Sequence, residues 1–317
     1  MTLREAVEEY VAHRRATGVL FDSGAAVLGT FCRSIGPETP CAEVPDASVR
    51  AFLDGRGTPT RYWERKRSVL AGFYAYATAR GLASRVPLPS ETPRLAPPLV
   101  PYVYSREEIR SLLSAADSYR PRNSSVPSEA LRTLILLLYA TGLRVGEALA
   151  LRLRDVDLPE AVLTVRRAKF HKTRLVPMGA DLVRELQAYR SARCAAFPPE
   201  DHDAAFLADS RGGPLRHKNV GNAFRKVREA AGVLRTDGAR YQPRIHDLRG
   251  TFATQRLTEW YRRGEDVQRL LPLLSTYLGH ASVAETEPYL ATTPALLGEV
   301  GQKFERHACA REGGCDA

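Results

Sequence analysis

The sequence predicts a mainly α-helical fold with a small β-sheet, divided into a helical N-terminal domain and a mixed α/β second domain. Three observations predict it. Apolar residues recur at helical spacing through most of the chain, beginning with Leu3, Val7, Tyr10 and Val11. One stretch, Val162 and Thr164 followed by Leu175 and Val176, departs from that period and reads as two short strands. Between Pro87 and Pro101 lie six prolines with few polar anchors, the composition of an extended, semi-rigid linker. The expected boundaries are a helical domain over 1–86, a linker over 87–103, the second domain over 104–308 and a flexible tail over 309–317.

In order, helices are expected over 3–16, about 24–34, 47–53 and 60–80. In the fourth, Trp63, Val69, Leu70, Phe73, Tyr74 and Ala77 make an apolar stripe, with Arg61, Arg65, Lys66 and Arg67 opposite. That basic face reads equally as plain solubility or as a surface for a polyanion. Ser105-Arg-Glu-Glu108 is a capping box that opens the second domain and a helix to Asp117. A polar loop spans Tyr119 to Pro127. The run Leu131 to Tyr139 is apolar and lacks glycine and proline, so it is a buried helix. Gly142 supplies a left-handed stop, and Arg144 begins the next helix, whose apolar part ends at Leu151. Arg167 to Thr173 lies at the tip of the hairpin made by the two strands, studded with cations. Further helices are expected over about 180–194, 218–231, 246–262 and 266–278, then a short one carrying Tyr289 and a last one over about 294–307.

The 317 residues are enough for two domains and a sizeable core. A net charge of +10 points to a polyanionic partner. Of the 46 basic residues only six are lysines (Lys66, Lys169, Lys172, Lys218, Lys226 and Lys303), so the pair at 169 and 172 stands out. Five scattered cysteines (Cys32, Cys41, Cys194, Cys309, Cys315) with no C-x-x-C fit reduced thiols better than disulfides or a zinc site. No apolar run of membrane-spanning length and no signal-peptide pattern at Met1-Thr-Leu-Arg-Glu5 predict a soluble intracellular protein. The dipeptide Gly-Lys never occurs, so no G-x-x-x-x-G-K-[ST] phosphate loop is present, and no carboxylate cluster suits magnesium. Neither a metal nor a cofactor is expected.

The polar residues that stand out share one order. A guanidinium at a tight turn between buried helices, Arg144, needs an anionic partner: Glu147 three residues on, or something from outside. His246-Asp-Leu-Arg249 opens a helix with His246 and Arg249 on one face. Leu278-Gly-His280 sits just past the next helix, with Gly279 as its left-handed cap, and Tyr289 follows nine residues later. Taken singly these are a surface ion pair, a second surface pair, a helix cap and a tyrosine packed on the core. Taken together, an arginine, a hairpin lysine, His-x-x-Arg, Gly-His and a tyrosine form a constellation.

That constellation resembles the tyrosine recombinases, or phage-type integrases, over nearly the whole chain. The matching stretches are Thr141-Gly-Leu-Arg-Val-Gly-Glu147, Lys169 with Lys172 and Val176-Pro177, His246-Asp-Leu-Arg-Gly-Thr-Phe-Ala-Thr254, and Leu278-Gly-His280 through Tyr289. The resemblance implies a helical core-binding domain and a mixed catalytic domain closing as a clamp on double-stranded DNA, in a cytoplasmic, nucleoid-associated protein. Carried over by position, Arg144 and Arg249 would grip the scissile phosphate, His246 and His280 would be the companion histidines, and Tyr289 the nucleophile. Lys169 would be the hairpin lysine, with Lys172 the nearest alternative, because the family's Gly-Lys-Gly is Ala-Lys-Phe here. Arg61, Arg65, Lys66 and Lys172 are candidate DNA contacts.

The chemistry agrees. An attacked phosphodiester gathers charge on its non-bridging oxygens, and planar guanidiniums meet them with paired hydrogen bonds. Tyrosine has a pKa of about 10, so roughly 0.3% is ionised near pH 7.5. A base is needed, and His246 or His280 could serve. The leaving 5′-hydroxyl needs a proton, which a hairpin lysine could deliver. The covalent 3′-phosphotyrosine keeps the bond energy, so no ATP is required.

There are departures from the pattern. His246 and His280 lie 34 residues apart, wider than in simple members, with the excess around Trp260-Tyr-Arg-Arg-Gly-Glu265. The run Gly264 to Leu274 is similar to recombinases encoded in tandem on mobile elements, which implies transposition and sister recombinases as partners. Pro288 removes a backbone donor directly before Tyr289 and fits only a first helical turn or a kink. Leu296, Leu297, Val300 and Phe304 form an apolar stripe that either packs on its own domain or docks on a neighbouring protomer in a homo-tetramer on two DNA sites. The alternatives are a type IB-like topoisomerase, a catalytically silent DNA-binding factor and, with no metal-ligand spacing behind it, a zinc hydrolase.

Overall fold

The computed structural model describes residues 1–19, 21–56, 58–95, 101–120, 124–166, 173–198, 201–239, 241–280, 282–286, 289 and 298. The chain divides into two compact units, Met1–Leu99 and Val100–Ala317, and the division falls inside the proline-rich stretch. The hairpin tip with Lys169 and Lys172, Pro288, and the terminal segment with Leu296, Leu297, Val300 and Phe304 lie outside the described residues.

The first unit is a four-helix cluster: α1 (Leu3–Ala16), α2 (Asp22–Ile35), α3 (Asp46–Asp54) and α4 (Arg61–Ala79). Helix α1 starts where Thr2 accepts from the Glu5 N–H and the Glu5 carboxylate accepts from the Thr2 N–H, satisfying two orphan donors at once. Leu3, Phe31, Leu53, Leu70, Phe73 and Tyr74 meet in its core. Cys32 and Cys41 are buried free thiols.

One expectation for this unit is corrected. Arg61 and Arg65 stand exposed on α4, but Lys66 is only 8% exposed. Its ammonium donates to the carbonyl oxygens of Phe52 and Leu53 and lies over the rings of Phe52 and Tyr62, at 5.0 and 5.7 Å. Those carbonyls are in the last turn of α3, where the orphan acceptors and the negative end of the helix dipole draw a cation. Burial pushes the ammonium below the usual lysine range, against the pull of Asp54. Lys66 holds α3 to α4 and is not on the basic face.

The second unit is built around α6 (Ser128–Thr141), apolar on nearly every side because α5 (Arg106–Asp117), α8 (Ala180–Ala196) and α10 (Asp247–Arg262) all pack on it. It starts three residues earlier than the apolar run, after Pro127. Helix α7 (Val145–Ala150) follows, then the strands β1 (Val156–Asp157), β2 (Val162–Val165) and β3 (Arg174–Pro177) in an antiparallel sheet of that order. Leu163, Val165 and Val176 face the core while Leu175 points out. Val165 pairs with Arg174, so β3 begins directly after the hairpin tip. Helix α9 (His217–Ala230) closes the same core.

Helices α10 and α11 (Val267–Leu278) enclose a second cluster of Phe252, Leu257, Val267, Leu274 and Leu278. Helix α10 runs on to Arg262 and the chain turns at Gly264, after which Asp266 caps α11 by accepting from the Arg269 N–H. Helices α6 and α11 each end on a glycine in the left-handed region, Gly142 at φ +64° and Gly279 at φ +69°. A Cβ on Gly142 would sit 2.5 Å from the Phe252 ring, so the turn is tight as well as left-handed. Among the described residues no helix is long and apolar enough to cross a membrane.

Candidate active site

The two glycine stops expose helix C-termini to one another, and an arginine bridges them. Arg249, in the first turn of α10 and 2% exposed, donates from Nη1 to the Gly142 carbonyl at 2.7 Å and from Nη2 to the Leu278 carbonyl at 2.8 Å. These are carbonyls that helix geometry leaves unpaired. Among the described residues no carboxylate forms an ion pair with Arg249. Burial first, and then the charge of Arg144 nearby, pull its pKa down to about 10, so it stays cationic at neutral pH.

Arg144 precedes α7, and its side chain is 29% exposed. Its Nη1 donates to Glu147 Oε1 at 3.0 Å and its Nη2 to the Gly279 carbonyl at 3.2 Å. Glu147 also reaches back to accept from the Arg144 backbone N–H at 2.9 Å, half of a capping box. A second arginine meets the same carboxylate with both prongs: Arg174 Nη1 to Oε1 at 3.0 Å and Nη2 to Oε2 at 2.8 Å. Burial raises the Glu147 carboxyl, but the bonds from Arg174 and the Arg144 N–H outweigh it and hold the pKa at about 2.

His280 follows the α11 stop, its Nδ1 2.7 Å from the hydroxyl of buried Thr286. Burial, then Arg249 and Arg144, depress its pKa to about 4, so the imidazole is neutral at physiological pH. His246 precedes α10 and is also shifted down, by burial first and then by Arg249 and Arg244. The turn leading into it is held by Asp247, 4% exposed, which accepts from the Arg244 N–H and from Arg244 Nη2, each at 2.8 Å. Tyr104 in turn donates its hydroxyl to the Arg244 carbonyl at 2.9 Å.

Tyr289 stands at the edge of this cluster. Its backbone N–H donates to the Thr286 carbonyl at 3.1 Å, and its ring stacks on His280 with centroids 6.2 Å apart and planes 19° from parallel. A Cβ built on Gly250, the residue after Arg249, would touch the Tyr289 ring at 3.5 Å. The fold therefore brings Arg144, His246, Arg249, His280 and Tyr289 together from four separate stretches of one chain.

The phage integrase family profile matches residues 103–295, and a putative integrase/recombinase, y4rB, of Sinorhizobium fredii is 35% identical over 96% of this chain and 98% of its own. The chain belongs to the phage integrase family. The tyrosine recombinase XerD of Caulobacter vibrioides is 33% identical over 83% of the chain and 80% of its own length. The fold is similar to that of the Tn1549 transposon integrase solved with transposon right-end DNA (TM-score 0.70, 17% identity, 97% and 100% of the two chains). It is similar also to a lambda integrase tetramer on a Holliday junction (TM-score 0.65, 18% identity, 91% and 77%). As a member of the family, the protein is a site-specific DNA recombinase of the tyrosine class, and neither the topoisomerase nor the silent-factor reading gains from these relatives.

Sequence reasoning about this integrase missed Arg174 and Asp247. Arg174 carries no local signal in an arginine-rich chain, since its partner Glu147 is 27 residues away. Asp247 was visible inside the His-x-x-Arg motif but gave no sign of its buried pair with Arg244.

Proposed function

We propose that this recombinase cuts and rejoins duplex DNA through a 3′-phosphotyrosine on Tyr289, in the integration or transposition of a mobile element. Arg249 carries the reading: a buried guanidinium held by carbonyl oxygens, next to Arg144, with His280 and Tyr289 stacked at its edge. A buried cation without a carboxylate is costly unless an anion completes the site, and two planar forks match the non-bridging oxygens of a phosphodiester.

In the reaction, the Tyr289 oxygen bonds to phosphorus, the bond to the 5′-oxygen breaks, and the 3′-phosphate stays on the enzyme. The phenol proton passes to a neutral imidazole. The nearness of its ring to Tyr289 supports His280 as that base, with His246 as the second. In the free site the arginines disfavour protonation of His280; a bound phosphodiester brings negative charge that offsets them and raises its basicity. The 5′-oxygen takes its proton from Lys169, or from Lys172, acting as general acid. In rejoining, a 5′-hydroxyl of the partner strand attacks the phosphotyrosine and the phenol is restored. One ester is exchanged for another, so nothing is hydrolysed.

Arg61 and Arg65 on α4 contact backbone phosphates, which position the protein without reading sequence. The working assembly is a homo-tetramer on two DNA sites, or a mixed one with sister recombinases, in the cytoplasm on the nucleoid; the lambda integrase tetramer on a Holliday junction supports the tetramer. The test uses nicked duplexes tiled across the DNA flanking the gene, designed so that the cleaved 5′ end is lost. The wild type should yield a denaturant-resistant, protease-sensitive adduct while Tyr289→Phe binds the same duplex without one. Binding by both with adduct from neither would overturn the reading.

A further inference from the structure

We propose that Arg174 is a positioning residue: it occupies the carboxylate of Glu147, so that Arg144 keeps its charge and its remaining N–H groups for the scissile phosphate. The inference rests on the proposed phosphotyrosine reaction and adds to it a residue outside the constellation read from the sequence.

Arg174 is not itself a phosphate ligand. Three of its five N–H groups go to protein acceptors, Nη1 and Nη2 to the Glu147 carboxylate and Nε to the Tyr277 carbonyl at 3.0 Å, so unlike Arg249 its charge already faces a carboxylate with both prongs. The side chain is 13% exposed, against 29% for Arg144. A slot is built for it: a Cβ on Gly279 would lie 2.7 Å from Arg174 Nη1, so the glycine that ends α11 also admits the guanidinium beneath it.

Glu147 is saturated by this arrangement. Its two oxygens accept two bonds from Arg174, one from the Arg144 backbone and one from Arg144 Nη1, which uses the lone pairs a carboxylate offers. Arg144 is thus tethered through a single side-chain bond to the acid. Take Arg174 away, and the same carboxylate, three residues along and 10% exposed, is free to grip Arg144 with both oxygens. Arg144, Arg174 and Arg249 with the one carboxylate of Glu147, which Arg144 and Arg174 share, leave a net two positive charges at the site; without Arg174 one is left. The attacked phosphodiester gathers negative charge, so the missing charge is felt most in the transition state.

The test compares single-turnover adduct formation at saturating DNA, on a duplex the wild type has been shown to cleave. Arg174→Met keeps the stem in its slot and should slow the adduct by about 100-fold, the loss typical of one preorganised charge, with half-saturation for DNA little changed. Glu147→Gln added to Arg174→Met removes the carboxylate that captures Arg144 and should recover at least about tenfold of that rate. A merely structural arginine would leave the double variant as slow as the single or slower, and that result overturns the proposal, as does wild-type speed in Arg174→Met. Should Arg174→Met melt below the assay temperature, Arg174→Lys carries the decision. It keeps the charge and should stay within about tenfold of wild type, and a folded, DNA-binding Arg174→Lys slowed beyond that overturns the proposal. A wild type that forms no adduct on any duplex overturns the underlying reaction instead, which separates the two failures.

Discussion

Arg249 donates to the Gly142 carbonyl at 2.7 Å across 107 residues of sequence, and its other Nη holds the last carbonyl of α11. One side chain therefore joins α6, α10 and α11 at the proposed phosphate site. Arg249→Lys keeps a charge but loses the planar fork. Adduct formation should fall by about 10²–10³-fold, with duplex affinity nearly unchanged because many phosphates share the binding. Affinity lost in proportion to rate would place Arg249 in general binding instead.

The glycine stops make a prediction about stability. Gly279→Ala forces a side chain into φ +69° and against Arg174. It should cost about 1–2 kcal/mol from the backbone alone and lower the melting temperature by roughly 2–4 °C for each kcal/mol. Gly221→Ala, inside α9 with nothing within 4 Å of the new Cβ, should raise stability by about 0.5–1 kcal/mol. Calorimetry of both decides it, and equal effects would contradict the slot described at Gly279.

His280 gives a pH dependence with a definite sign. Its folded pKa is depressed from 6.5 to about 4, so between those values the unfolded chain binds a proton that the folded chain does not. The contribution is complete above pH 6.5 and lost as pH falls toward 4. His280→Gln should flatten stability in that window. Glu147, lowered from 4.5 to about 2, loses its contribution as pH falls through that lower range, so the two windows meet only near pH 4. In Tyr289→Phe bound to DNA, the His280 proton resonances should titrate at higher pH than in the free protein. An unmoved titration would contradict phosphate binding between the arginines.

The basic face of α4 divides as its burial does. Arg61→Ala with Arg65→Ala should flatten the slope of log affinity against log salt by up to about 2. Lys66→Ala should leave that slope alone and destabilise the protein by about 1–3 kcal/mol, because it orphans two carbonyls. A salt slope that responds to Lys66 would return it to the DNA face.

The helices and the candidate residues that the fold brings together were legible because they rest on local rules. Glycine marks a left-handed stop at Gly142 and Gly279, apolar spacing marks α1, α4 and α10, and spacing along one helix puts His246 beside Arg249. What was illegible depends on distant partners or very short elements. Strand β1 is two residues long, too short for any period. Lys66 looked solvated because the pattern shows which side of a helix is polar, not that the C-terminus of α3 lies over it. The bond from Arg174 to Glu147 exists only once β3 and α7 are packed.

The central claim is that Tyr289 becomes the phosphotyrosine, and the most direct measurement is to digest the covalent adduct with protease and nuclease and locate the nucleotide by mass spectrometry. The account predicts a 3′-phosphonucleotide on the peptide containing Tyr289. Attachment to another tyrosine, such as Tyr277 or Tyr261 in the same half of the unit, or to a serine, would contradict it.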